Sequence, residues 1–553
     1  MTLLLPSLPF LSPRILDLAF VWPQPLAPAH GLGVSAVIAI LPLAVVLIMM
    51  GGLRKSGALS AAAGLATALV LALLVWKMPL PLAVVSGLYG AVYAIWPILW
   101  IVFAALWLYN LSVDVGNFDL LRRWMAERAS GDPCVQVILV AFCFGALLEG
   151  TAGFGSPVAV AGFLLLGLGF PPRKAVTLAL IANTTPVAFG ALGIPIVALA
   201  GVTGLNLLKL SAMVGRQLPF LSLILPAYLT LVVAGGKGLK RTWPVALAGG
   251  GSFALAQFVC SNYWGPYAAD VVAAMLSTAC VVLLLHVWKP APTAEGATSV
   301  DVAARTESAL TREQSFSAWA PWVILAAVMI AWSYFHLFSK GEQTLLVPHL
   351  HNEVFITLYQ KTYAAKFSFQ PLAAGTGGLV AMLLTALLFR CSPGTVMASG
   401  MKTFHQLRKP GLTVILIVAL AYLYNYSGMA YTLGAFLAGL GKFFPLVSAL
   451  LGWVACFLSG SDTASNLLFG NLQVAAAHQI GVSPVLLAAT NSSGAVCGKM
   501  VSPQNVAVGV TTVGLVGHEG DVVRSTLFHS LALALLLCLI AFAQAYWLTW
   551  MVP

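Results

Sequence analysis

Glu149 is the only charged residue between Pro133 and Pro172, and Asp462 is the only one between Phe443 and Gly498, with Lys499 directly after. Each carboxylate stands in a cluster of glycine and hydroxyl residues: E-G-T-A-G-F-G-S-P at 149–157 and S-G-S-D-T-A-S-N at 459–466. A second cluster follows each of them: N-T-T-P-V-A-F-G-A-L-G-I-P from Asn183 and N-S-S-G-A-V-C-G-K-M-V-S-P from Asn491. In both, glycine comes seven positions after the asparagine (Gly190, Gly498) and proline twelve after it (Pro195, Pro503). Gly150 and Asn183 are 33 residues apart, Gly460 and Asn491 31. Two matched clusters at nearly equal separation indicate an internal duplication.

The chemistry such clusters offer is the capture of a small oxyanion. Gly, Pro, Ser, Thr and Asn interrupt apolar runs and free backbone N–H and C=O groups that lipid cannot satisfy, so the breaks must face protein or a water-filled cavity. Matched breaks in two halves of a membrane protein point to a substrate site near the bilayer midplane. Freed N–H groups at a half-helix N-terminus donate hydrogen bonds to an anion and carry the positive end of the helix dipole. Neighbouring hydroxyls can bind a carboxylate or a substrate hydroxyl. On this reasoning the substrate-binding candidates are Gly150, Thr151, Gly153, Gly155, Ser156, Asn183, Thr184, Thr185, Ser461, Thr463, Ser465, Asn491, Ser492, Ser493 and Lys499. The competing role for any one Gly or Ser is close helix packing, or for a hydroxyl a bond back to its own helix.

A charge at membrane depth costs several kcal/mol unless it is paired or hydrated, which makes such residues functional candidates. Glu149 and Asp462 are expected to take up a coupling proton, since removal from water disfavours a carboxylate's charged form. Lys499 is expected to offset a substrate carboxylate or to pair with Asp462. The structural alternatives are a static ion pair, a helix cap, or for Lys499 a side chain reaching the interface.

Holding these clusters is an apolar scaffold. Of 553 residues 60% are hydrophobic and 8% charged, too few charges to cover a soluble protein of this size. The expected fold is an all-α polytopic membrane protein of about 12–14 transmembrane helices, built on two related repeats with broken or re-entrant helices. Apolar runs lie at roughly 32–50, 57–76, 86–109, 133–149, 156–170, 175–200, 218–235, 243–261, 267–288, 318–338, 371–389, 411–426, 430–458, 484–510 and 527–551. The organisation expected is an N-terminal transmembrane half at 1–288, a polar cytoplasmic linker at 289–317 and a C-terminal transmembrane half at 318–553, with 339–370 outside. Leu32 to Met50 lacks a small-residue cleavage site and is read as the first span.

The net charge of +11 arises from short basic clusters between spans, as the positive-inside rule predicts, and gives no reason to expect nucleic acid. Arg54, Lys55, Arg122, Arg123, Arg128, Lys237, Lys240, Arg241, Lys402, Arg408 and Lys409 are then cytoplasmic, which places the N-terminus outside. The eight cysteines show no paired spacing or Cys/His cluster, so neither a metal site nor a cofactor is expected. No H-E-x-x-H, acidic metal motif or nucleophile with a partner base is found, which argues against a membrane-embedded enzyme.

At its clusters the chain resembles the lactate permease family of bacterial symporters. The resemblance rests on L-L-E-G-T-A-G-F-G-S-P (147–157), A-N-T-T-P-V-A-F-G-A-L-G-I-P (182–195), S-G-S-D-T-A-S-N-L-L-F-G-N-L-Q (459–473), G-K-M-V-S-P-Q-N-V-A-V-G (498–509) and W-P-I-L-W-I-V-F-A-A-L-W-L-Y-N-L-S-V (96–113). It covers nearly the whole chain, apart from 289–317 and 339–370. It implies proton-coupled uptake of lactate, glycolate and related 2-hydroxymonocarboxylates across the bacterial cytoplasmic membrane. It also implies kinship with transporters that hold substrate between re-entrant hairpin tips. The residues alone leave a sodium-coupled carboxylate transporter open, because Asn and Ser/Thr oxygens suit a hard cation.

Overall fold

The computed structural model describes residues 21–128, 131–153, 155–290 and 310–553. Helices dominate. The first is α1 (Leu32–Gly52), then α2 (Gly57–Leu74) and α3 (Leu80–Asp114), which kinks where Trp96 leaves helical geometry ahead of Pro97. A surface helix α4 (Asn117–Arg128) leads to α5 (Pro133–Thr151), α6 (Ser156–Gly167), α7 (Pro172–Ala182) and α8 (Gly190–Thr203). After the short α9 (Leu207–Val214) come α10 (Leu218–Val259) and α11 (Ala269–Val287). The second half holds α12 (Arg312–Tyr334), α13 (Ala374–Leu388), α14 (Pro393–Tyr426), α15 (Met429–Leu437), α16 (Pro445–Ser459), α17 (Asp462–Ile480), α18 (Pro484–Lys499), α19 (Pro503–Thr512) and α20 (Glu519–Tyr546).

Three expectations change. The runs 218–235 and 243–261 are joined in α10, which reverses at Gly235 (φ 63, ψ −164), a backbone setting that glycine reaches without a Cβ clash. The two arms pack closely: Gly250 lies against the carbonyls of Ser222 and Leu223, and Ser222 donates to Gln257 at 2.8 Å. Most of the 289–317 linker falls at 291–309, outside the described residues. Its end is helical, because Thr311 and Gln314 form a reciprocal capping box that starts α12 at Arg312. The segment 339–370 is more than a loop. There β2 (Gln343–Leu346) pairs antiparallel with β5 (Lys366–Phe369), and β3 (Val354–Ile356) lies between β1 (Trp22–Pro23) and β4 (Lys361–Thr362).

The duplication is visible as a shared element order. Helix, tip, helix, turn, helix, break and helix run through α5 to α8 and again through α16 to α19. The first tip includes Ala152, Gly153 and Gly155, and the second is Gly460 and Ser461. Gly155 (φ 85) precedes α6 and Gly460 (φ 72) ends α16, each in the left-handed region. In the first repeat, helical geometry is regained only at Ile194, because Ala191, Leu192 and Gly193 form a left-handed turn with φ of 44, 58 and 75°. Each non-glycine residue there costs about 1–2 kcal/mol. The second break is only Met500 to Ser502, and Ser502 caps α19. Pro195 and Pro503 each stand just inside the half-helix that follows.

The repeats are inverted. The axes on either side of the first break diverge by 66°, so α8 continues away from the side on which α7 starts. Hairpin arm α17 runs alongside α8 in the same direction, with Asn466 at Pro195 and Gly470 at Leu199 and Val202. Arm α6 likewise runs alongside α19, with Gly155 near Asn505 and Gly162 near Val513. Hairpin α5/α6 therefore enters from one membrane face and hairpin α16/α17 from the other. Arg122, Arg173, Lys174 and Arg241 cluster at the first face: Arg122 lies over Phe163, Lys174 bonds to Val233 and Arg241 to Asp132. The positive-inside rule makes that face cytoplasmic.

Among the described residues nine segments are long and apolar enough to span a bilayer. Of these, Pro133–Thr151 is a hairpin arm and Leu207–Trp264 crosses twice, while the bent pair α7/α8, the short α13 and the broken α18/α19 add three more. The result is twelve crossings and two re-entrant hairpins, at the lower end of the expected range.

Helix α16 packs against α18 at backbone distance. A Cβ on Gly494 would lie 2.0 Å from the Ala449 carbonyl oxygen, and one on Gly452 2.0 Å from that of Asn491. Gly494→Ala is expected to cost about 3 kcal/mol through overpacking, read as a lowered melting temperature in detergent. An unchanged melting temperature would refute the close packing.

Candidate functional site

The tips and breaks of both repeats meet inside the bundle. Glu149, in the last turn of α5, is 3% exposed, and Lys499, at the end of α18, is 6% exposed. Lys499 Nζ donates to Glu149 Oε1 at 2.7 Å, and Asn183 Nδ2 donates to Glu149 Oε2 at 2.9 Å. The first tip, the first break and the second break are thus tied through one carboxylate. Gly190 leaves the room: a Cβ there would fall 2.7 Å from Glu149 Oε1. The expected Lys499–Asp462 pair is therefore corrected to Lys499–Glu149. The inverted packing sets the two repeats' interruptions side by side, and the lysine at the second break reaches the carboxylate of the first tip.

Asp462 opens α17, where Ser461 caps the helix by accepting from the Ala464 N–H. Its Oδ2 accepts from Ser492 at 2.8 Å, while Oδ1 is buried without a partner. Asn505, in the first turn of α19, donates to the Gly460 carbonyl at 3.1 Å and joins the second tip to the second break. The hydroxyls of Thr184 and Thr185 are buried and unpartnered in the first break. The centre therefore brings together the Lys499–Glu149 ion pair, the half-satisfied Asp462 carboxylate, the unpartnered hydroxyls of Thr184 and Thr185, and the N-termini of α6, α17 and α19.

Other candidates hold the scaffold in this conformation. Thr151 bonds back to Leu147 O at 2.8 Å, Ser156 to Gly153 O at 2.7 Å and Ser465 to Gly452 O at 3.1 Å. Asn491 donates to Asn466 at 3.0 Å and locks α18 to α17. Ser493 points away from Ser492 and donates to Gln217 at 2.7 Å. Gly150 packs on Asp270 and Val271, Gly153 lies by Ala191, and Thr463 is half-buried in the first turn of α17.

Asp270, Gln257, Asn466 and Asn505 were not among the sequence candidates. Asp270 is 1% exposed and lies beside the first tip. It had a signal in the sequence: it is the only Asp, Glu, Lys or Arg between Arg241 and Lys289. The other three are neutral amides in helices and carry no comparable mark. Among the described residues, no group of three or more His, Cys, Asp or Glu side chains is placed to hold a metal ion.

Inverted, interrupted repeats whose polar breaks converge inside twelve crossings define a multi-pass membrane transporter. The chain belongs to the L-lactate permease family, whose profile matches residues 35–548, and its place is the bacterial cytoplasmic membrane. It is 41% identical to the glycolate permease GlcA of Escherichia coli K12, over 96% of this chain and 99% of that one. It is 40% identical to the L-lactate permease of the same strain, over 96% of this chain and all of the relative. The L-lactate permease of Bacillus subtilis 168 is likewise 40% identical, over 96% of this chain and all of that one.

Proposed function

We propose that this protein takes up lactate, glycolate and related 2-hydroxymonocarboxylates by proton symport. The observation that carries the reading is the buried Lys499–Glu149 pair at the meeting point of the breaks. A substrate carboxylate competes with Glu149 for the Lys499 ammonium. Once displaced, Glu149 keeps its bond from Asn183 but loses its counter-charge. A buried carboxylate without a counter-charge is costly, and taking up a proton removes that cost. Anion binding and proton binding are thereby linked. The substrate's carboxylate also draws on the N-termini of α6, α17 and α19, and its 2-hydroxyl on Thr184 and Thr185. Asp462 is the second proton-coupling carboxylate, placed at the tip of the other repeat. The transmembrane half that ends with α11 at Val287 and the half that begins with α12 at Arg312 each give one repeat to this centre.

Sodium coupling is the second reading. It is favoured by the unpartnered Asp462 Oδ1 and the unpartnered Thr184 and Thr185 hydroxyls, since a hard cation takes oxygen ligands. Labelled L-lactate uptake into proteoliposomes separates the two, with an inward proton gradient, no sodium, and glycolate as competitor. Uptake that glycolate inhibits and an uncoupler collapses is expected. Uptake that needs sodium and ignores the proton gradient would replace proton symport with sodium symport, and uptake of neither acid would overturn the substrate assignment.

A further inference from the structure

Asp270 lies in the first turn of α11, directly after the outer segment that ends in Pro266, Tyr267 and Ala268. Its Oδ1 accepts from Gln257 Nε2 at 3.0 Å, and its Oδ2 is buried with no partner. The same Gln257 amide reaches the Thr185 carbonyl at 3.3 Å, so Asp270 is linked to the first break. On its other side is the last turn of α5, just before the first tip: a Cβ on Gly150 would stand 3.1 Å from the Asp270 Cβ. The ionisable groups facing it are Glu149 from α5 and Cys260 from the turn after α10.

The two neighbouring carboxylates are built differently. Glu149 has a lysine and an asparagine on its two oxygens, the surroundings of an anion. Asp270 has one neutral donor and a bare oxygen, the surroundings of a carboxylic acid whose O–H occupies that position. The N-terminus of α11 favours an anion by only about 0.3–1 kcal/mol. An unpaired buried charge costs several, so burial wins.

We propose that Asp270 is a proton relay that holds a proton in this conformation and passes it to Glu149 when substrate draws Lys499 away. This rests on the proton-symport reading above. The transfer breaks the Asp270 O–H bond and forms one on Glu149, leaving Asp270 as the carboxylate. Asp270 then takes a proton from the outer solution, and Glu149 releases one with the substrate to the cytoplasm. Each turn of this relay carries one proton inward.

The test compares wild type, Asp270→Asn and Asp270→Glu in proteoliposomes. Two assays are run on each: net uptake driven by a proton gradient, and exchange of labelled for unlabelled lactate at equal pH. A relay is needed only when the proton must leave and return, so Asp270→Asn should lose at least about tenfold of net uptake and keep exchange within about twofold. Asp270→Glu should recover part of the net uptake. Infrared spectra of purified wild type should show a carboxylic acid C=O band that is missing in Asp270→Asn, a readout that does not need transport. Normal net uptake in Asp270→Asn would overturn the relay, as would equal loss of exchange in a monodisperse, folded variant, or a carboxylic acid band unchanged by the substitution. Wild-type exchange without proton-driven uptake would instead overturn the symport reading beneath it.

Discussion

Lys499→Met is expected to abolish uptake and to lower the stability of the folded protein. The substitution removes the cation bonded to Glu149 while keeping most of the side chain's bulk. Breaking one partner out of a buried pair costs about 3–5 kcal/mol, because the other charge is left uncompensated. If binding of the substrate anion depends on the same ammonium, a loss of that size corresponds to more than about a hundredfold in affinity. The double variant Lys499→Met with Glu149→Gln separates the two effects. Removing both charges should restore the melting temperature to near that of wild type, since no buried charge is left unpaired, yet lactate binding should stay absent. Binding measured calorimetrically and melting measured in the same detergent give the answer. Lactate binding retained by the double variant would take Lys499 out of the substrate site and leave the pair a structural one.

Asp462→Asn is expected to uncouple transport with little effect on binding. Asparagine matches the shape of the aspartate, and its amide oxygen can still accept from Ser492. What disappears is the ability to gain and lose a proton at the second tip. Accumulation of lactate against its gradient should fall by at least about tenfold, whereas binding should stay within about threefold, the pattern of a proton site acting beside the ligand. Ser492→Ala serves as the control. It removes the hydrogen bond but keeps the carboxylate, so proton-driven accumulation should persist. If Asp462→Asn accumulates lactate normally, Asp462 is no more than a first-turn acid favoured by the dipole of α17.

Much of this site could be read from the sequence because the membrane makes polar interruptions conspicuous. Pro195 and Pro503 were matched by spacing, and both stand just inside a half-helix. The asparagines matched alongside them are less alike: Asn183 ends α7, while Asn491 lies within α18 and bonds to α17. The difference follows from the breaks, which are long in the first repeat and short in the second. The partner of Lys499 was missed for a topological reason. Asp462 is near it in sequence, but Glu149, 350 residues away, is what inverted packing brings to its ammonium. Spacing along a chain carries no information about contacts made across two repeats of opposite sense. Asp270 lies outside both duplicated clusters, even though the lone-charge criterion that singles out Glu149 and Asp462 applies to it equally.

The unequal breaks have a further consequence. Two copies of one design, set head to tail across the membrane, are held here in different shapes: one with a drawn-out joint at 183–193 that ends in a left-handed turn, the other with a three-residue joint at 500–502. Let each copy adopt its twin's posture and the molecule becomes its own mirror with respect to the two solutions, so that whichever compartment it opens to now, it would then open to the other. The fold in this sense carries two portraits of a single machine, and exchanging one for the other would turn it to face the opposite solution.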